Sequence, residues 1–150
     1  MVQASHWLIV AWALGITLSD LASRRIPNVF SLGAILGGLG YLAYTGQALL
    51  AGDWLDVLLG MLLALLLTLP AYLLRWLGAG DAKLLLAIAA LGGWQYVLTS
   101  FAIAGLLSGV TTLAMLQYST YSGRNLAAGR WIPFGAMLTV GLIASMGVRL

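Results

Sequence analysis

The chain has 150 residues, of which 62% are hydrophobic and 7% are charged, whereas soluble domains carry roughly 25% charged residues. This composition excludes an ordinary soluble fold and predicts a membrane protein. Six helices of about 20 residues would use most of the chain, so we expect residues 1–150 to form one polytopic, all-α domain. The absence of cysteine and the single histidine, His6, exclude disulfides and zinc sites built on these residues.

Hydropathy predicts six membrane spans along the chain, at residues 5–19, 29–44, 55–74, 81–97, 99–118 and 131–148. Gly92 and Gly93 divide the uncharged stretch that holds the fourth and fifth spans. Two pairs of glycines are spaced four residues apart, Gly33 with Gly37 and Gly105 with Gly109. Such pairs predict close helix packing within the chain, and dimerisation is the alternative.

The basic residues predict the orientation of the chain in the membrane. Most of them lie in or beside the odd-numbered connections: Arg24, Arg25, Arg75, Lys83, Arg124 and Arg130. The positive-inside rule places these connections in the cytoplasm and both termini outside. The net charge of +3 does not indicate nucleic-acid binding, because the basic residues form no face with interleaved aromatic residues.

Two acidic residues lie at the predicted cytoplasmic ends of spans, since Asp20 follows the first span and Asp81 begins the fourth. Ionisable groups at membrane depth are costly and indicate function by default. The structural alternatives are an ion pair of Asp20 with Arg24 and an N-cap role for Asp81. Gly78 and Gly80 favour function at Asp81, because glycines let a substrate backbone approach the carboxylate.

Three segments occur in the order typical of one protein family. GAGDAKLL at residues 78–85 resembles the GxGD signature of intramembrane aspartyl proteases, in the GxGDxKL form of prepilin peptidases. SDLASRRIPN at residues 19–28 resembles the segment with the first catalytic aspartate of that family. IPFG at residues 132–135 resembles the family's IPFGP element, with Ala136 in place of the proline.

This resemblance implies a six-helix peptidase core in a bacterial inner membrane, similar to the short members that serve tight-adherence (Flp-type) pili. Asp20 and Asp81 would be the catalytic pair, supported by Gly78, Gly80 and Lys83. The substrate would be a prepilin or pseudopilin precursor with a basic leader, a glycine before the scissile bond and a hydrophobic helix in the lipid. Neither metal nor organic cofactor is implied, and methyl transfer is not expected because the four-cysteine loop of longer relatives is absent.

The other polar residues near these motifs have alternative roles. Lys83 is an interfacial anchor, or it binds an acidic residue of the substrate or tunes the aspartate pair. Arg24 and Arg25 are topology determinants, with substrate contact as the alternative. Asn28 is expected to cap the second helix. Two more acids, Asp53 and Asp56, are expected to be solvated in a loop on the opposite side of the membrane.

The chemistry expected of the pair follows from the electrostatics of carboxyl groups. Two neighbouring carboxylates cannot both ionise at low cost, so the pair shares one proton. The ionised member would take a proton from the attacking water and its partner would stabilise the oxyanion, with the two roles unassigned. The rival functions are a small transporter or channel in which Asp20 and Asp81 relay protons or ions, and a structural subunit. The sequence offers no polar trail outward from the pair, as transport would require.

Overall fold

The computed structural model describes residues 2–23, 26–50, 52–122 and 133–147. Within these ranges there is no strand, and six helices follow one another: α1 (Val2–Ser23), α2 (Asn28–Thr45), α3 (Trp54–Leu73), α4 (Ala79–Gly92), α5 (Trp94–Ser122) and α6 (Phe134–Gly147). Apolar stretches long enough to cross a membrane lie in α1, α3 and α5. The prediction of an all-α, multi-pass membrane protein is confirmed.

The boundary between α4 and α5 differs from the predicted one. The fourth span was expected to continue to residue 97, but α4 ends at Gly92 and α5 begins at Trp94. Gly93 between them has a φ of 78°, a left-handed conformation that residues with a Cβ rarely adopt. The chain therefore turns at Gly93, which confirms the predicted break at Gly92 and Gly93, whereas the predicted end of the fourth span at residue 97 is wrong.

Helix α4 lies at the centre of the bundle, where it packs against α2, α3, α5 and α6. Its second half is almost entirely buried, and three of the residues there are alanines that allow neighbouring helices to approach: Ala87, Ala89 and Ala90. With 14 residues, α4 is about 21 Å long. The central helix is thus surrounded by protein, and it carries Asp81 in its first turn.

Glycines do mediate close helix packing, but at positions other than the predicted ones. An added Cβ would meet no atom of the described residues within 4 Å at any glycine of the spaced pairs: Gly33, Gly37, Gly105 and Gly109. At Gly38 a Cβ would lie 2.9 Å from the carbonyl oxygen of Ala90, and at Gly141 it would lie 2.7 Å from that of Ser100. The prediction that the spaced pairs pack within the chain is therefore wrong, and Gly38 and Gly141 make such contacts.

Asp53 and Asp56 form a structural cluster at the start of α3. Asp53 is the N-cap of α3, where its Oδ1 accepts hydrogen bonds from the N–H groups of Leu55 and Asp56. Asp56 Oδ2 accepts from the N–H of Asp53, and its Oδ1 accepts from Trp94 Nε1 at 3.0 Å. Asp56 is therefore not a solvated loop acid as expected, because it joins the start of α3 to the start of α5.

Candidate active site

Asp20 lies near the end of α1 and is buried, with 6% of its surface exposed. Its Oδ2 accepts a hydrogen bond of 2.8 Å from the backbone N–H of Ala136. Ala136 is the third residue of α6, and N–H groups in the first turn of a helix have no partner within that helix. The N-terminus of α6 therefore holds the Asp20 carboxyl group, with the helix dipole oriented favourably for negative charge.

Asp81 is half-buried at the third residue of α4. The N-cap residue of α4 is Gly78, which has no side chain to accept a hydrogen bond, so an N-cap role for Asp81 is wrong. A Cβ on Gly78 would lie 3.3 Å from Asp81 Oδ2, and both residues line a cleft. Gly80 faces elsewhere, because a Cβ there would contact Ile26 at 3.5 Å. Gly78 is thus the glycine that leaves the carboxyl group accessible.

Gly135 marks the point at which the two carboxyl groups meet. A Cβ added to it would lie 3.0 Å from Asp20 Oδ2, 3.1 Å from Asp81 Oδ1 and 2.7 Å from Ile26 Cδ1. Since both oxygens lie about 3 Å from the same point, Asp20 Oδ2 and Asp81 Oδ1 are at most about 6 Å apart. The structure therefore brings Asp20 and Asp81 together, and glycine at position 135 keeps the space beside them free.

A partly buried pair of hydroxyl groups fixes the helices that carry this arrangement. Thr17 of α1 and Thr139 of α6 share a hydrogen bond of 2.7 Å between their Oγ1 atoms. Thr139 Oγ1 also donates to the carbonyl oxygen of Ala136, at 2.8 Å. Both threonines lie about one helical turn from the contact of Asp20 with Ala136, so they hold α1 and α6 in register at the site.

The predicted supporting residues are placed as follows. Lys83 Nζ donates a hydrogen bond of 3.1 Å to Asn28 Oδ1, so this lysine contacts the start of α2. Asn28 is the first residue of α2, and Pro27 occupies the N-cap position, so the expectation that Asn28 caps this helix is wrong. Arg24 and Arg25 lie outside the described residues.

The site can perform acid–base chemistry with its own side chains. Two carboxyl groups that face one open space disfavour simultaneous ionisation, so one of them can hold a proton while the other accepts one. Within the described ranges, no group of three or more histidine, cysteine, aspartate or glutamate residues could hold a metal ion. The arrangement is suited to activating a water molecule against a carbonyl group.

Sequence reasoning missed two residues of the site, Gly135 and Ala136. Gly135 was part of the IPFG motif and Ala136 was its departure from the family pattern, but neither was assigned to the aspartate pair. The usable signal was their position two and three residues after Pro133, at the start of a helix. Unpaired N–H groups at such a position bind carboxylates readily.

Comparisons with known proteins identify related sequences. Residues 7–113 match the model of the type IV leader peptidase family. The chain is similar to a prepilin leader peptidase/N-methyltransferase of Pseudomonas aeruginosa, with 28% identity over 144 residues. This alignment covers 92% of the chain and 47% of the relative, so the chain spans about half the length of that protein. No solved structure matches the chain significantly.

Proposed function

Since the chain belongs to the type IV leader peptidase family, we propose that it is a membrane-embedded aspartyl endopeptidase that cleaves leaders from prepilin-like precursors. The supporting observation is the approach of Asp20 Oδ2 and Asp81 Oδ1 to within 3.0 and 3.1 Å of one point beside Gly135. A peptidase activity also agrees with the name of the similar Pseudomonas protein. The substrate would carry a basic leader followed by an apolar segment that lies in the membrane.

The proposed reaction uses both carboxyl groups and one water molecule. The ionised carboxylate takes a proton from water as the water oxygen bonds to the scissile carbonyl carbon, and the protonated carboxyl group donates its proton to the carbonyl oxygen. Collapse of the tetrahedral intermediate then breaks the C–N bond, and a proton passes to the leaving amine. Asp20 and Asp81 exchange protons through the cycle, so the pair again holds one proton when the products leave.

The orientation of the site belongs to the same proposal. Basic residues in the odd-numbered connections support a cytoplasmic location for the carboxylate pair. The chain has no cysteine, so single cysteines can report each side. We expect Trp76→Cys, in the exposed connection between α3 and α4, to react with reagents on the cytoplasmic side. Gln47→Cys, in the exposed connection between α2 and α3, should react from the other side, and labelling of both from one side would contradict this topology.

Amide substitutions test the catalytic assignment. Asp20→Asn and Asp81→Asn nearly preserve the side-chain volume, but a carboxamide cannot exchange a proton with water in this way. Each change alone should reduce precursor cleavage to background when equal amounts of folded protein are compared in the membrane. Asp53→Asn is the matched control, because Asp53 is exposed at the other end of the bundle. Near wild-type cleavage by both Asp20→Asn and Asp81→Asn proteins would refute the aspartyl mechanism.

A further inference from the structure

A cleft of about 750 Å³ adjoins Asp81. One wall is formed by α5 from Phe101 to Leu113, and the facing wall by the end of α3, the connection to α4 and the start of α6. Phe101 and Leu113 are twelve residues apart, which corresponds to about 18 Å along a helix. The cleft is therefore about three helical turns long, and a candidate catalytic carboxyl group, that of Asp81, lies in its wall.

The lining of the cleft is mainly apolar, with Trp76, Phe101 and Phe134 as its aromatic members. Its polar side chains are Asp81 and the hydroxyl groups of Ser108 and Thr112. Both hydroxyls donate to backbone carbonyls of α5, so their oxygens can still accept a hydrogen bond. A charged peptide segment would lose its hydration here without a counter-ion at most positions, whereas an apolar segment would gain from burial.

The wall formed by α5 is open at Gly105 and Gly109. A Cβ at either position would meet nothing within 4 Å, so no side chain of the described residues fills the space above these glycines. The backbone of a bound peptide can therefore approach α5 directly. Its N–H groups would then come within reach of the Ser108 and Thr112 hydroxyls, which compensates for their removal from water.

The hydrogen-bond partners in the cleft favour an extended peptide over a helix, because only an extended peptide has free N–H groups to donate to them. An extended chain advances about 3.3 Å per residue, so a wall of about 18 Å matches about five extended residues. A helix is about 10 Å wide with its side chains and keeps its amide groups bonded to one another. An extended segment also presents its carbonyl carbon to the carboxyl groups, which an intact helix does not.

We propose that this cleft binds the first five or so residues after the scissile bond of the precursor, as an extended apolar segment. The inference rests on the proposed peptidase function and adds a specificity: the apolar helix of the substrate must unwind at its start. A lipid acyl chain suits this cleft less well, because it has no N–H groups to donate to Ser108 and Thr112.

A second cavity supplies a matched control. It has a volume of about 390 Å³, lies between α1 and α2, and is lined by Gly33 and Gly37, with neither Asp20 nor Asp81 in its wall. Within the described part of the chain, a Cβ at Gly37 meets nothing within 4 Å, as at Gly109. Gly→Leu changes at both positions favour a helix and fill open space, so both variants should fold.

The first experiment compares Gly109→Leu with Gly37→Leu, using a synthetic precursor that has a basic leader followed by an apolar segment. We expect Gly109→Leu to lose cleavage and Gly37→Leu to cleave like the wild type, at equal amounts of folded protein. Wild-type cleavage by the Gly109→Leu protein would overturn the cleft proposal alone. Absence of cleavage by the wild type, or full activity of the Asp20→Asn and Asp81→Asn proteins, would overturn the proposed function itself.

A binding experiment independent of turnover uses the Asp20→Asn protein with a photo-reactive phenylalanine analogue at position 109 or 37. Cross-links from position 109 should map to the first five residues after the scissile bond, and position 37 should give none to these residues. Cross-links from position 109 only to the leader, or only to lipid, would overturn the proposal.

A lysine scan of the substrate tests the apolar specificity. Lysine placed at each of the first five positions after the scissile bond should abolish both cleavage and the cross-link. Tolerance of lysine at all five positions would contradict the apolar specificity.

Discussion

The backbone N–H of Ala136 donates a hydrogen bond of 2.8 Å to Asp20 Oδ2 and thereby joins the start of α6 to the end of α1. Proline, which the IPFGP element has at this position, lacks an N–H and could not make this bond. The contact is therefore specific to chains with another residue at position 136. It orients one member of the carboxylate pair through the backbone, without using a second polar side chain.

We expect Ala136→Pro to leave the fold intact, because proline is tolerated in the first turn of a helix. The change removes a hydrogen bond to a carboxylate, worth about 1.5–3 kcal/mol, so cleavage should fall by about tenfold or more. Ala136→Ser keeps the N–H and is the control for the side-chain change. Equal cleavage rates of the two variants, measured per amount of folded protein, would show that this hydrogen bond does not support the reaction.

Gly135→Ala should disable the site more severely. The added methyl group would lie 2.7 Å from Ile26 Cδ1 and about as close to both carboxyl groups, so Asp20 and Asp81 must move apart. Displacement of reacting groups by about 1 Å can reduce a rate by about a hundredfold, and we expect a loss of at least this size. Gly147→Ala in the same helix places its Cβ where no atom of the described residues lies within 4 Å, and this variant should retain activity. Normal cleavage by the Gly135→Ala protein would show that catalysis does not need the free space beside Gly135.

The pH dependence of cleavage should be bell-shaped, because the pair works with a single proton. At low pH both carboxyl groups are protonated and no base remains to activate water. At high pH both are ionised and no acid remains to protonate the oxyanion. Initial rates measured across the pH range of stable folding check this, whereas a rate that is independent of pH or sensitive to chelators would indicate another mechanism.

Asp56→Asn should lower stability and leave catalysis unchanged. The asparagine cannot reproduce both accepted hydrogen bonds, from the Asp53 N–H and from Trp94 Nε1, and loss of one such bond costs about 1 kcal/mol. Thermal unfolding in detergent measures the stability, and cleavage is compared per amount of folded protein. The effect of Asp56→Asn should shrink in a Trp94→Phe background, because the two residues share one hydrogen bond. Strict additivity of the two changes would contradict the contact.

Much of the fold and the meeting of the two acids was predictable from the sequence. The order and number of helices followed from hydropathy, since each apolar stretch is bounded by polar residues or glycine. Asp20 and Asp81 were expected to meet because one ends a span, the other begins a span, and an even number of crossings separates the two. These inferences need only the sequence and the thickness of a bilayer.

The missed features depend on which helices are neighbours, which hydropathy does not record. Helix α4 is apolar because protein surrounds it, so hydropathy alone extends this span to residue 97, and only the pair of Gly92 and Gly93 predicts where the helix ends. The spaced pair Gly105 and Gly109 has the pattern of a packing motif, yet it faces a cleft. Asp56 meets Trp94 across 38 positions, a contact that no local pattern could predict.

The length of α4 has a consequence for how this protein depends on the surrounding lipid. With the Trp94 end of the bundle at the outer membrane surface, Asp81 would lie about 16 Å from that surface, in the cytoplasmic half of a hydrocarbon layer about 30 Å thick but not at its edge. The charged leader of a precursor must then enter this layer to reach Asp81, and a thicker bilayer lengthens that path at an electrostatic cost. We therefore expect cleavage in reconstituted vesicles to slow as the acyl chains are lengthened, although no residue of the protein has changed.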